Sequence, residues 1–259
     1  MIEKIVSAKA KEAGIEIFGF TENAFVALFP YYVNEKSGNV SMYARGLDYH
    51  MVVKEMLFPV AEKIISLGAK HAEVHSDNGK YNDREAAYKA GLGFYGKNRM
   101  LINDKYGSYF FIGQIVCDLS FKPGKPLKKT CLGCGKCLEA CITGTLKEGY
   151  SPEKCLSGIS QKKGCLTKEE EEYIKLSGMC WGCDRCQEVC PHNKNLKTTP
   201  ISDFLKERIL NLSPIDLDGL SERKFKEKYK KYAFSWRGVK VLRRNLEILR
   251  NCDEEKRDL

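Results

Sequence analysis

Two cysteine runs carry the clearest chemistry in this sequence. CLGCGKCLEAC supplies Cys131, Cys134, Cys137 and Cys141, and CWGCDRCQEVCP supplies Cys180, Cys183, Cys186 and Cys190, followed by Pro191. Both follow the spacing C-x2-C-x2-C-x3-C. Three thiolates on one tight loop can reach three corners of a cubane cluster. The fourth, placed at the start of a helix that points away, ligates the other cluster. Zinc also uses C-x2-C pairs, but a tetrahedral site needs two separated pairs rather than triplets. The doubled motif ending in Cys-Pro therefore predicts two [4Fe–4S] clusters, which move single electrons at potentials tuned by burial and by hydrogen bonds to sulfur.

The rest of the chain must position these clusters and use their electrons. With 259 residues, 43% of them apolar, it can bury a real core as one large domain with a satellite or as two. No run of about 18 apolar residues is present, so no membrane span is expected. The N-terminal MIEKIVSAKAKEAGIEIFGF alternates charged and apolar residues at helical spacing and has no apolar signal core. A cytoplasmic location follows, and there twelve cysteines point to metal or catalysis rather than disulfides. The net charge of +9 is concentrated: Arg223 to Arg250 holds eleven Lys or Arg against two Glu. Such a stretch is either a nucleic-acid footprint or a solvated helix face.

Residues 1–125 read as α/β. Helices are predicted at 2–13 and 47–67, strands near 16–20, 24–33 and 71–76, and a helix at 82–90, opened by Asn82 or Asp83 and closed by Gly91. A strand at MLIN and another over 108–119 follow. The run FKPGKPLKK (121–129) marks a boundary. Three blocks are expected: 1–125, a ferredoxin-like double-cluster domain at 126–200, and a basic helical segment at 201–259. GLGFYGKN (91–98) imitates a dinucleotide loop, but that fingerprint follows a strand and opens a helix, whereas this run closes one. NAD binding is therefore excluded.

The stretch SDNGKYNDREAAYKAGLGFYGKNRMLINDKYGSYFFIGQI (76–115) closely resembles epoxyqueuosine reductases, cobalamin-dependent enzymes of tRNA queuosine synthesis. Also similar are YARGLDYH (43–50), the first cysteine motif, KCLSGIS (154–160), WGCDRCQEVCP and FSWRGVKVLRRNLEIL (234–249). The likeness spans most of residues 25–250, with reductive dehalogenases as more distant relatives. It implies a cobalamin-binding first domain and an oxidoreductase that reduces the epoxide of epoxyqueuosine in tRNA to queuosine. Asp77 matches the family's proton donor. A carboxylic acid in a dry pocket can have its pKa raised enough to serve. The plainer role for Asp77 is to cap the helix at 82–90 or to form an Asx-turn with Gly79. Gly91, Gly93 and Gly96 would let the backbone approach the flat corrin. Lys97, Asn98, Leu101 and Ser108 match the segment that wraps it, with core packing as the alternative for Leu101. Tyr49 and His50 are further candidates for the pocket, and base-off cobalamin is expected because the D-x-H-x-x-G pattern is absent.

Five cysteines then compete for four places. Ferredoxin spacing nominates Cys180, whereas the resemblance supplies that ligand from upstream, at Cys155. The resemblance assigns Cys131, Cys134, Cys137 and Cys190 to one cluster and Cys141, Cys155, Cys183 and Cys186 to the other, with Cys180 a bystander. Cys117, Cys165 and Cys252 match no pattern. The expected partners are tRNA and an external low-potential electron donor such as a ferredoxin or flavodoxin, and a monomer is expected. Two departures bear on the substrate: Lys80 stands where the family often has proline, and the chain stops near where the family's C-terminal helical repeats would begin. The rival readings are a dehalogenase-like reductase of a small molecule and a non-catalytic electron carrier or corrinoid-reactivating protein.

Overall fold

Seven consecutive residues with buried side chains, Ala24–Pro30, form the strand on which the first unit is built. The computed structural model of the chain describes residues 1–77 and 81–257, with side chains to residue 251. The expectations placed on Asn78, Gly79, Lys80 and the Cys252 side chain lie outside the described residues.

The first unit comprises Met1–Tyr32, Tyr49–Gly133 and Pro191–Ser202. Its elements are α1 (Ile2–Glu12), β1 (Ile17–Phe20), β2 (Ala24–Pro30), α2 (Tyr49–Ser66), β3 (Ala72–His75), α3 (Asp83–Lys89), β4 (Phe94–Tyr95), β5 (Leu101–Ile102) and β6 (Phe110–Cys117). The main sheet is antiparallel with strand order β1-β2-β6-β3, and β4 pairs with β5 in a small hairpin. Both faces of β2 are covered, which is why AFVALFP shows no polar alternation. Ala24, Val26 and Leu28 face Ala87, Ala90, Leu92 and Leu101. On the other face α2 lies so close to β6 that a Cβ on Gly113 would fall 2.5 Å from Val53 Cγ1 and 2.8 Å from Leu57 Cδ1. Asn82 caps α3 by accepting from the Glu85 N–H, and Gly91 (φ +75°) follows its end.

The second unit comprises Val33–Asp48, Cys134–Cys190 and Asp203–Leu259. It is helical: α4 (Lys136–Glu139), α5 (Thr145–Glu148), α6 (Leu156–Gln161), α7 (Lys168–Ser177), α8 (Arg185–Glu188), α9 (Pro214–Leu217), α10 (Glu222–Tyr229) and α11 (Val239–Arg257). Four of the first five are one or two turns long and cannot bury a core alone. They lean on longer elements instead: Leu156, Ile159, Leu166 and Ile174 cluster with Ile248 of α11. Asn245 of the same helix is fully buried and donates to the Ser160 carbonyl (2.7 Å) and the Cys180 carbonyl (2.8 Å).

The division differs from three consecutive blocks. Residues 33–48 leave the sheet unit for the helical one, 191–202 return to the sheet unit, and the basic tail belongs to the helical unit. Composition marks where a chain changes character, but it carries no record of where the chain comes back.

Asn245→Leu keeps the volume of the side chain and removes both donors. Each buried carbonyl left unsatisfied costs about 1–3 kcal/mol. Chemical denaturation should show a loss of that order, with spectroscopic probes in the helical unit responding first.

Candidate functional site

The two cysteine motifs fold alike. In C-x-G-C the glycine, Gly133 in one and Gly182 in the other, adopts φ of +70° and +72°, which turns the loop tightly. At Gly182 a Cβ would also fall 2.4 Å from Ser41 Cβ. The third cysteine, Cys137 or Cys186, lies in a four-residue helix, and the fourth, Cys141 or Cys190, comes just after it. Motif spacing alone puts the fourth at a helix start. The three intervening residues form a full turn, so it falls past the end instead.

Cys155 and Cys180 have different surroundings. Cys155 precedes α6, and the Ser157 and Gly158 N–H groups donate to its sulfur. Burial raises its pKa, and the charge of Cys141 adds to that. Burial pushes Cys183 up to about 12, with Asp184 and Cys155 contributing. Cys186 is raised by burial first, then by Cys183, Cys155, Asp184 and Cys137. Cys155 thus lies within electrostatic range of Cys141, Cys183 and Cys186, and Cys137 also lies within range of Cys186. Cys180 is fully buried, its thiol donates to Asn39 Oδ1 (3.4 Å), and burial alone pushes it up to about 12. No other cysteine contributes to its shift. Cys134, Cys137 and Cys190 share this unit, whereas Cys131 falls in the sheet unit. Among the described residues no three His, Cys, Asp or Glu side chains converge as a single-ion site requires. A cluster whose thiolates each bind a separate iron does not need that convergence. Asp184 lies between Cys183 and Cys186, accepting from Ser41 Oγ (2.6 Å) and the Met42 N–H (2.7 Å). Burial raises its pKa.

In the sheet unit, Asp77 is exposed rather than enclosed in a dry pocket, and it does not cap α3, where Asn82 does. It has φ +61°, a left-handed conformation that aspartate tolerates better than most residues. Tyr49 Oη donates to Asp77 Oδ2 at 2.5 Å. The Tyr49 ring stacks on Phe111 (4.1 Å, 6°) and against His50 (4.0 Å). The Asp77 N–H donates to Asp83 Oδ2 at 2.7 Å, and Gln114 Nε2 donates to Asp83 Oδ1. The carboxyl with a raised pKa is Asp83, and burial is the main cause. The sequence marks Asp83 only as a possible cap. Its register opposite Gln114 comes from folding.

The glycine-rich run is used differently from the expectation. A Cβ on Gly91 would fall 2.5 Å from the Lys125 carbonyl oxygen, on Gly93 2.6 Å from that of Ile102, and on Gly96 2.5 Å from Asn98 Oδ1. These glycines make room for the protein's own chain, and Gly96 is packed tightly within its own turn. Leu101 is 2% exposed and belongs to the sheet core, which is its packing role. Lys97 Nζ donates to the Gly133 carbonyl (3.2 Å). Ser108 Oγ accepts from Asn193 Nδ2, and the Ser108 N–H donates to Asn193 Oδ1. Asn98 Oδ1 accepts from the Met100 N–H, while its buried Nδ2 has no partner among the described residues.

The basic tail is only partly a charged face. Arg243 donates to the Leu217 and Leu220 carbonyls, Arg244 to those of Lys162 and Gly164, and Lys231 pairs with Glu207. Tyr232 is buried against Phe234, as core packing requires. Trp236 is 54% exposed, with the Arg237 guanidinium 3.6 Å from its ring. Among the described residues no helix is long and apolar enough to cross a membrane.

Residues 130–193 match the family described as a 4Fe-4S double cluster binding domain, and residues 22–83 the family Epoxyqueuosine reductase QueG, DUF1730. An epoxyqueuosine reductase of Bacillus cereus is 35% identical over 221 residues, covering 82% of this chain and 56% of the relative. One of Leadbetterella byssophila is 32% identical, covering 82% and 70%. The chain spans about half the length of the first curated relatives it matches. Two solved structures each cover 96% of this chain and 80% of their own. One is an epoxyqueuosine reductase with an epoxyqueuosine-modified tRNA-Tyr stem loop (TM-score 0.81, 27% identity). The other is the Bacillus subtilis epoxyqueuosine reductase with its catalytic aspartate loop swung out of the active site (TM-score 0.80, 26% identity). A catabolic reductive dehalogenase shares the fold (TM-score 0.56, 16% identity).

Cys155→Ser is expected to remove about four of about eight iron atoms, since each cubane holds four. Cys180→Ser should leave both clusters. Iron analysis and the visible spectrum after anaerobic reconstitution check this, and the reverse pattern would give the ligand position to Cys180.

Proposed function

The chain belongs to the epoxyqueuosine reductase family, and from that premise we propose that it reduces the epoxide of epoxyqueuosine in tRNA to queuosine. Converting an epoxide to an alkene breaks both C–O bonds, takes up two electrons and two protons, and releases water. Electrons enter from an external low-potential carrier such as a ferredoxin or flavodoxin. They pass singly through one cluster held by Cys131, Cys134, Cys137 and Cys190 and another held by Cys141, Cys155, Cys183 and Cys186. The company that Cys155 keeps with Cys141, Cys183 and Cys186 supports the second set.

Cobalamin, when bound, supplies the low-potential reductant that delivers those electrons to the epoxide. The buried Asn98 Nδ2, without a partner among the described residues, fits such a guest, being a donor suited to a corrin amide oxygen. Lys97, Ser108, Tyr49 and His50 are the other candidates for its surroundings. Asp77 gives a proton to the departing oxygen. The observation that carries this role is its hydrogen bond from Tyr49, which fixes the orientation of the Asp77 carboxyl. The relative with a mobile catalytic aspartate loop adds to the same reading.

For tRNA, the exposed cations Lys224, Lys230 and Lys240 and the exposed Trp236 suit phosphate contact and base stacking. Arg243 and Arg244 hold the fold through backbone carbonyls.

Asp77→Asn should retain both clusters and cobalamin binding while turnover falls ~10²–10⁴-fold, the usual contribution of a placed general acid. Assays on an epoxyqueuosine-containing stem loop test this, and full activity would remove Asp77 from the chemistry. Replacing Lys224, Lys230 and Lys240 with Gln should weaken RNA binding and flatten its salt dependence by ~0.7–0.9 in slope per lost contact. Titration at several salt concentrations reads this. Unchanged slopes would shift the reading to a small-molecule substrate.

A further inference from the structure

Asp77 is held at both ends. Its carboxylate receives the Tyr49 hydroxyl, and its backbone N–H is taken by Asp83 Oδ2 at 2.7 Å. A left-handed aspartate persists only where neighbours over-determine it. Asp83 is well placed to do so. It is the first residue of α3, and its other oxygen is fixed by Gln114 of β6, a side chain only 2% exposed. The register of the sheet places Gln114 opposite both Val26 and His75, so the anchor stands on the central strands. A carboxylate can accept from the two donors on separate oxygens, which a single hydroxyl or a methyl cannot do.

We propose that Asp83 is a positioning residue for Asp77, its carboxylate clamping the Asp77 backbone to the sheet so that the side chain meets Tyr49. This rests on the reading of Asp77 as proton donor. Asp83 itself touches no reacting atom. Its loss would let Asp77 leave its left-handed conformation and carry its carboxylate away from Tyr49, and a misplacement of that kind can cost ~10²-fold in rate.

The experiment uses the holoenzyme in three variants, Asp83→Ala, Asp83→Ala/Gln114→Met and Asp77→Asn, and in the combination Asp77→Asn/Asp83→Ala. The double variant removes the Gln114 amide that Asp83→Ala would orphan, so folding and loop placement are separated. Amide hydrogen exchange at Asp77, read without substrate, should show protection in the parent and its loss in both Asp83 variants. With the epoxyqueuosine stem loop, kcat should fall ~10–100-fold at unchanged KM and with iron content intact. Adding Asp83→Ala to Asp77→Asn should cost nothing more. If the Asp77 amide stays protected, or the losses add, or KM and thermal stability move together with kcat, the clamp is refuted. If Asp77→Asn is fully active, the proton-donor reading falls instead, and exchange still reports whether Asp83 holds the loop.

Discussion

A cysteine-rich segment of short helices has many backbone carbonyls and little apolar surface, and the helical unit depends on satisfying them. Asn245 does this at the decisive place. Its amide joins the Ser160 carbonyl, at the end of the helix that Cys155 opens, to the Cys180 carbonyl, at the head of the second motif. The Ser160 hydroxyl accepts from the Gly182 N–H, tightening the same seam. The electrostatic link between Cys155 and the Cys183–Cys186 loop follows from that seam. Two segments some thirty residues apart in sequence are thereby held together.

The same logic explains the excursion at residues 33–48. It supplies Asn39, Ser41 and Arg45. Ser41 and the Met42 N–H satisfy Asp184. Arg45 is nearly wholly buried, donates to the Val40 carbonyl and pairs with Glu35, which Arg208 also engages. Burial raises the Glu35 pKa, but the two guanidinium groups outweigh it and hold the carboxyl below its ordinary range. A buried charge is tolerable here because each partner is hydrogen-bonded on several sides.

In the sheet unit, antiparallel packing produces the site. α2 delivers Tyr49, the strand β3 leads into Asp77, α3 begins with Asp83, and β6 carries Gln114 and Phe111. The Asn82 cap of α3 and the registers of β6 with β2 and β3 bring these side chains within hydrogen-bonding distance. The basic tail shows the opposite case. Eleven cations in a stretch suggest a uniform surface, yet Arg243 and Arg244 are occupied with backbone carbonyls, and the exposed charge lies on most of the lysines and on Arg223 and Arg250.

The sequence by itself determined the elements and the redox chemistry. Hydrophobic period and caps located α1, α2, α3 and the strands to within a few residues, because those signals are local. The doubled cysteine spacing carried the clusters for the same reason. Tertiary structure alone decided the interleaving of the two units, the company of Cys155 against the isolation of Cys180, the use of Gly96 by the neighbouring turn, and the partnership of Asp83 with Asp77. Each of these depends on which distant segment arrives beside which. Spacing along a chain does not encode that approach until strands have chosen their register and buried polar groups have found their partners.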